Sequence, residues 1–292
     1  MKRSIVLFSI ILALSSCEKI NDYPSLDNFR LTKILNFNNS TDLEPSGFVN
    51  LEYNESGNLI KESLYDFPNT LYTYREYDYE NNVLTEKRIY DGQVGNLRLS
   101  TYRKYEYENK KLIKEELYSS DGSLKYTTHY EFVGDNLKTT YNENDELGIH
   151  HQYKYTYNDL NILILEERFM YDQQLEGFTK YFYDDNNRLT KSEIYDSMGT
   201  KIQTEENKYE GFKNVPFEVL IYGTNGELTQ TKKLLYDNLD NCIETMFVDG
   251  QGGTHTLFKK KYNEKLLIEH IQYAPTWGFV EWYVTRYEYS KI

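Results

Sequence analysis

One aromatic position recurs through this chain at nearly constant spacing, and a recurrence of that length leaves few folds open. It falls at Tyr53, Tyr79, Tyr107, Phe132, Tyr157, Tyr183, Tyr209, Tyr236, Tyr262 and Tyr289, at intervals of 25 to 28 residues. Self-similarity at such a period marks one supersecondary unit repeated along the chain. Two residues before most of these anchors stands a second aromatic or apolar residue: Leu51, Tyr77, Tyr105, Tyr130, Tyr155, Tyr181, Leu234 and Tyr287. A period of two belongs to a strand. Five or six residues after most anchors comes an aliphatic position, filled by Leu59, Leu84, Leu112, Leu137, Leu163, Leu189, Val215, Cys242 and Leu267. A further aromatic often follows six residues later, as at Tyr65, Tyr90, Tyr118, Phe169, Tyr195 and Tyr273, and the even spacing predicts that this pair shares one face of a second strand.

The segments between the two strands are turn chemistry. Asn54 is placed to pair with Asn58 around a three-residue loop whose Gly57 supplies a left-handed conformation, and Glu108 with Lys111 around a two-residue loop. Both lengths keep the anchor opposite the aliphatic residue, so register survives the variation. Asp91-Gly92, Asp121-Gly122, Ser197-Met198-Gly199 and Asn225-Gly226 turn the chain into the next hairpin. The fold expected is therefore all-β: a long antiparallel meander of about ten 26-residue hairpins, about twenty strands in all, in one domain spanning 29–292. Glu76, Asp78, Thr85 and Lys87 are expected on the face opposite the anchors, which provides no continuous lipid-facing apolar band. Accumulated twist should coil such a sheet into a spiral or open tube.

The runs Tyr181-Phe182-Tyr183-Asp184-Asp185-Asn186-Asn187-Arg188-Leu189-Thr190 and Tyr53-Asn54-Glu55-Ser56-Gly57-Asn58-Leu59-Ile60 resemble the YD or RHS repeats of bacterial surface and toxin-shell proteins. The resemblance covers roughly residues 48–292, more weakly in the fourth and seventh units. It implies a spiralling β-sheet shell or rod, often at the cell surface. The chain departs from the toxin branch in ending at its tenth anchor, with no core segment or toxin domain after it, so delivery of an encapsulated toxin is not expected.

Residues 1–16 have the three-part layout of a secretory signal: Lys2-Arg3, an apolar run from Ile5 to Leu14, then small residues. That run falls short of the roughly 20 residues a spanning helix needs. Leu14-Ser15-Ser16-Cys17 resembles the lipobox of bacterial lipoproteins, which implies lipidation of Cys17 and anchorage without a span. Residues 17–28 then read as a flexible tether reaching roughly 35 Å. The only other cysteine is Cys242, so no intrachain disulfide is expected once Cys17 carries lipid. Without residues 1–16 the chain holds 31 basic and 46 acidic residues, a net of −15, which disfavours nucleic acid as a partner.

No nucleophile–base grouping, phosphate loop or zinc spacing stands out, and neither an enzyme nor a cofactor is expected. His150 and His151 are adjacent, so a strand points them to opposite faces, away from a shared metal. The acidic turns at Asn142–Glu146 and Asp184–Asn186 lack the spacing of a calcium loop. Trp277 and Trp282 in the last hairpin read either as a platform for a sugar or protein partner or as a cap on an exposed sheet edge. Asp196-Ser197-Met198 resembles the O-glycosylation acceptor of exported Bacteroidota proteins, which implies a glycan on Ser197. The function expected is that of an outer-membrane or cell-surface lipoprotein acting as a binding or scaffold module for a protein partner. The alternative is a polysaccharide-binding protein of a nutrient-uptake system.

Overall fold

The computed structural model describes residues 29–144, 148–170, 173–249, 251–274 and 280–291. The secretory signal, Cys17, the tether and Trp277 lie outside the described residues. Twenty strands follow one another: β1 Phe29–Phe37, β2 Gly47–Tyr53, β3 Leu59–Asp66, β4 Thr70–Glu80, β5 Val83–Gln93, β6 Asn96–Glu108, β7 Lys111–Ser119, β8 Leu124–Val133, β9 Asn136–Asn144 and β10 Gly148–Tyr157. The second half comprises β11 Leu163–Met170, β12 Gln174–Tyr183, β13 Leu189–Asp196, β14 Lys201–Tyr209, β15 Pro216–Tyr222, β16 Leu228–Tyr236, β17 Cys242–Val248, β18 Thr254–Asn263, β19 Leu266–Ala274 and β20 Val280–Lys291.

Every strand pairs antiparallel with its sequence neighbours, as the repeat predicts, and β1 also pairs with β20. The meander therefore closes into a 20-stranded barrel, where the sequence suggested a spiral or open tube. Closure removes both edges of the sheet.

The turns explain why the anchor is so often followed by Asp or Asn. Asp184 Oδ1 accepts the backbone N–H groups of Asn186 and Arg188 at 2.9 and 3.0 Å, and Asn187 takes a φ of 60°. Asn158 and Asp237 do the same after their anchors. Asp196 and Asp249 repeat the device at the other end of the barrel, with Gly199 and Gly252 left-handed. A short carboxylate or amide side chain thus supplies the turn's acceptors, and Gly or Asn supplies its left-handed residue. The two-residue loop at Asn109-Lys110 has positive φ at both positions, as a primed hairpin turn requires.

At each anchor the ladder slips by one residue. Phe182 lies opposite Lys191, but Tyr183 lies opposite Leu189, which leaves Thr190 as an extra residue in a β-bulge. The same slip occurs at Tyr53, Tyr79, Tyr107, Phe132, Tyr157, Tyr209, Tyr236 and Tyr262. One extra residue reverses the facing of everything beyond it. Leu189 stays with Tyr183 and Tyr181, but Tyr195 crosses to the other face, where it stacks on Phe178 at 4.6 Å. The expectation that aliphatic and following aromatic share a face is therefore wrong, and so is the placement of Lys87, which lies opposite Tyr77 on the anchor face. In the seventh unit Pro216, not Val215, stands opposite the anchor.

The tenth anchor, Tyr289, finds its aliphatic partner at the start of the chain, where Leu31 lies directly opposite it. Arg30-Leu31-Thr32 repeats Arg188-Leu189-Thr190 residue for residue. Arg30 lies over the Tyr53 ring as Arg188 lies over Tyr209, at 4.8 and 4.6 Å. The Thr32 hydroxyl donates to the Glu288 carbonyl as Thr190 does to that of Phe182, at 3.2 and 3.1 Å. β20 and β1 are thus two halves of one repeat, divided between the ends of the chain. The division places both ends of the described chain on one rim, the rim of the anchor turns. The expected cap on a sheet edge has no edge to cover, since β20 is paired on both sides.

Four of the anchors also tie their hairpins to the one before. The Tyr53, Tyr183, Tyr209 and Tyr289 hydroxyls donate to the carbonyls of Leu31, Leu163, Leu189 and Leu267 at 2.8 to 2.9 Å. Tyr183 is half-buried, so Tyr183→Ala should cost about 2 kcal/mol, and Tyr183→Phe, which removes only the hydroxyl, about 1. Asp185→Ala in the exposed turn should cost less than about 0.5. Hydrogen exchange should show the loss confined to β11–β14, as nearest-neighbour coupling requires; uniform loss around the barrel would contradict the stapling role.

Candidate functional site: the barrel lumen

Following the pairings once round the barrel returns to β1 displaced by about twenty residues, a shear equal to the strand number, which sets the tilt near 36°. Strands about 4.8 Å apart at that tilt enclose a circular section roughly 38 Å across between backbones. Side chains of about 6 Å on each wall leave a passage of about 25 Å. The right-handed twist of the sheet and the sense of this shear place the anchor face inside. Side chains converge on a concave face, and Arg103 reaches the Tyr126 hydroxyl two strands away at 3.3 Å.

The lumen is open, not packed. Two sheets pressed together would bury every second residue of each strand. Among the described residues the buried hydrophobic ones number ten, and the inward tyrosines Tyr77, Tyr105, Tyr130, Tyr155 and Tyr181 are all half-buried. Burial raises the pKa of Tyr105, Tyr130 and Tyr155, and that of Tyr289 to about 12. Between the rings stand charged residues: Arg75 paired with Glu62 at 2.6 Å, Arg103 paired with Glu115, and Arg168 beside Glu166, whose pKa burial raises. Lys87 and Lys232 face the same space. An aromatic wall interrupted by hydrogen-bonding and charged groups suits a ligand with both apolar faces and polar edges.

The outer face is different. Stacked aromatic pairs run round it, with ring centroids 4.6 Å apart for Phe48–Tyr65, 4.3 for Tyr74–Tyr90, 4.7 for Tyr102–Tyr118 and 4.5 for His129–Tyr141. Lysines of adjoining strands cover them: Lys33 over Phe48, Lys61 over Tyr74, Lys104 over Tyr118 and Lys180 over Tyr195. Ion pairs fill the intervals, among them Arg88–Glu76, Lys114–Glu116 and Lys208–Glu206. Charges at mid-height on alternate outward positions are costly against lipid, so this wall is built for water.

Of the residues singled out in the sequence, Cys242 is buried opposite Tyr236 and packs in the cluster of Val219, Ile221 and Leu234. Ser197 lies exposed at a turn. Trp282 is 56% exposed near the rim opposite the chain ends, with Leu43, Phe67 and Val280 also exposed near that rim. The lumen residues Glu62, Arg75, Arg103, Glu115 and Lys232 went unnoticed in the sequence. Arg75, Arg103 and Lys232 each lie four residues before an anchor, so counting by twos reaches them; Glu62 and Glu115 lie beyond a bulge, which reverses the count.

No family model matches the chain, and no curated protein matches it. Among solved structures, a TcdB2-TccC3-TEV crystal structure is 13% identical over 78% of this chain, with a TM-score of 0.40. The match takes in 14% of that chain, so this protein spans about one seventh of its length. A porin-like protein from Bacteroides uniformis is 10% identical over 92% of this chain and 100% of its own, with a TM-score of 0.38. One from Bacteroides vulgatus is 12% identical over 89% and 98%, with a TM-score of 0.25.

Proposed function

We propose that this protein is a lipid-tethered barrel of the cell envelope that holds a saccharide chain against the inner wall of its lumen. The observation that carries this reading is the set of inward tyrosines, Tyr77, Tyr105, Tyr130, Tyr155 and Tyr181, which stay only half-buried on the wall of a passage wide enough for a polymer. Stacking on sugar rings and hydrogen bonding to hydroxyls are what such a wall offers. The lipobox-like Leu14–Cys17 supports anchorage, and the charged outer wall argues that the barrel stands beside the membrane and not in it. A second reading, a scaffold for a protein partner, is favoured by Leu43, Phe67, Val280 and Trp282 exposed near one rim.

The native lipoprotein, extracted in detergent, should be retarded in affinity electrophoresis by at least one of a panel of neutral and acidic polysaccharides. Tyr105→Ala and Tyr155→Ala should each weaken that binding about tenfold, the effect of roughly 1.4 kcal/mol. Cys17→Ser should release the protein from membranes while leaving binding intact. Retardation by none of the panel would overturn the lumen reading, and full membrane retention of Cys17→Ser after a carbonate wash would overturn the anchor.

A further inference from the structure

We infer that the lumen wall formed by β4, β5 and β6 is an anion-selective subsite that takes an acidic saccharide, one bearing a carboxylate or sulfate on the sugar ring. The inference rests on the lumen reading and adds to it the charge of the ligand. Three cations stand on adjoining strands of this wall, since Lys87 lies directly opposite Arg103 and opposite Tyr77, two residues from Arg75. The outer two are already matched: Arg75 by Glu62, which is buried, and Arg103 by Glu115. Lys87 between them makes no ion pair among the described residues and rests over the Tyr77 ring at 5.3 Å.

A half-buried ammonium flanked by two guanidiniums loses stability that a counterion would restore. The strain shows in its titration: burial lowers the pKa of Lys87, and Arg75 and Arg103 lower it further against the opposing pull of Glu62. Nothing in the packing obliges the repeat to place a lysine here, because equivalent positions opposite the inward aromatics of other units hold Thr140 and Ser192. Tyr77 and Tyr105 lie on the two strands beside Lys87, so a sugar ring against either one brings its carboxylate or sulfate within reach of the ammonium. Nearly opposite on the barrel, Lys232 is a second inward lysine with no ion pair among the described residues, there between Val219 and Phe247 and without flanking guanidiniums. The outer surface of an acidic chain would repel an anionic polymer, which makes an inward cationic wall the place where one can bind.

The test compares polygalacturonate with its methyl ester, and dextran sulfate with dextran, on the full-length lipoprotein and on Lys87→Gln. At least one charged probe should bind tenfold or more tightly than its neutral counterpart, with affinity falling as salt rises. Lys87→Gln should lose about tenfold for the charged probe and leave the neutral one unchanged. It should melt no lower than the parent, because it removes an unpaired charge. Equal binding of charged and neutral forms, or unchanged binding by Lys87→Gln, would overturn the anion subsite and leave the saccharide reading standing. Binding of none of the four probes would overturn both.

Discussion

Leu31→Asp should open the barrel. Leu31 is 2% exposed, lies opposite Tyr289, and its carbonyl accepts the Tyr53 hydroxyl at 2.8 Å. A carboxylate buried there costs about 4 kcal/mol or more, concentrated in the one hairpin whose strands no turn connects. Every other hairpin is held by its loop as well as its ladder, so β20–β1 is where the ring parts first. The opened sheet would present two long edges, which pair with edges of other molecules. Light scattering should therefore report a monomer for the parent and dimers or larger species for the variant. A circular permutant provides the converse. Joining Tyr289 to Arg30 through Asp-Asp-Asn-Asn, with new ends between Asp185 and Asn186, completes the tenth repeat with the turn the sixth one uses, and it should fold as a monomer. An aggregating permutant, or a monomeric Leu31→Asp, would show that the seam is not a divided repeat.

The second large effect is on pH dependence. His270 faces the lumen from β19 between Lys260 and Thr285, 9% exposed, its ring edge-on to Phe258 at 5.8 Å. Burial, and secondarily Lys260, lowers its pKa from 6.5 to about 4. Between those values the unfolded chain binds the proton and the folded one does not. The stability tied to neutral His270 is therefore complete above about pH 6.5 and declines as pH falls towards 4, by roughly 3 kcal/mol in all. Between pH 7 and pH 4.5 the urea midpoint of the parent should fall further than that of His270→Gln. Parallel profiles would mean that His270 takes up its proton as readily in the fold as outside it.

Strand count, turn positions and pairing register were legible in the sequence because each is local. Asp184 caps its own turn, Gly57 fills its own left-handed position, and the interval from Tyr183 to Leu189 fixes which residues meet. The lumen was hidden for a related reason. Counting by twos put Tyr195 with Tyr183 and Lys87 with the outer charges, and the bulge at every anchor reverses both. A bulge is set by how a twisting ladder relieves itself, and the residue types at Ile60 or Thr190 do not announce it.

Closure lies further still from local pattern. Arg30-Leu31-Thr32 carries the signature of a half repeat, and that much can be read from the letters. Whether β1 reaches β20, or slides past it into a spiral, depends on the offset accumulated over twenty pairings. An offset of about twenty residues brings Leu31 level with Tyr289. The sequence by itself determined a uniform ribbon of hairpins and the matching halves at its ends. The tertiary structure decided that the halves meet, which face turns inward, and hence that the protein has an interior at all, because twist and shear are sums over the whole sheet and no single repeat contains them.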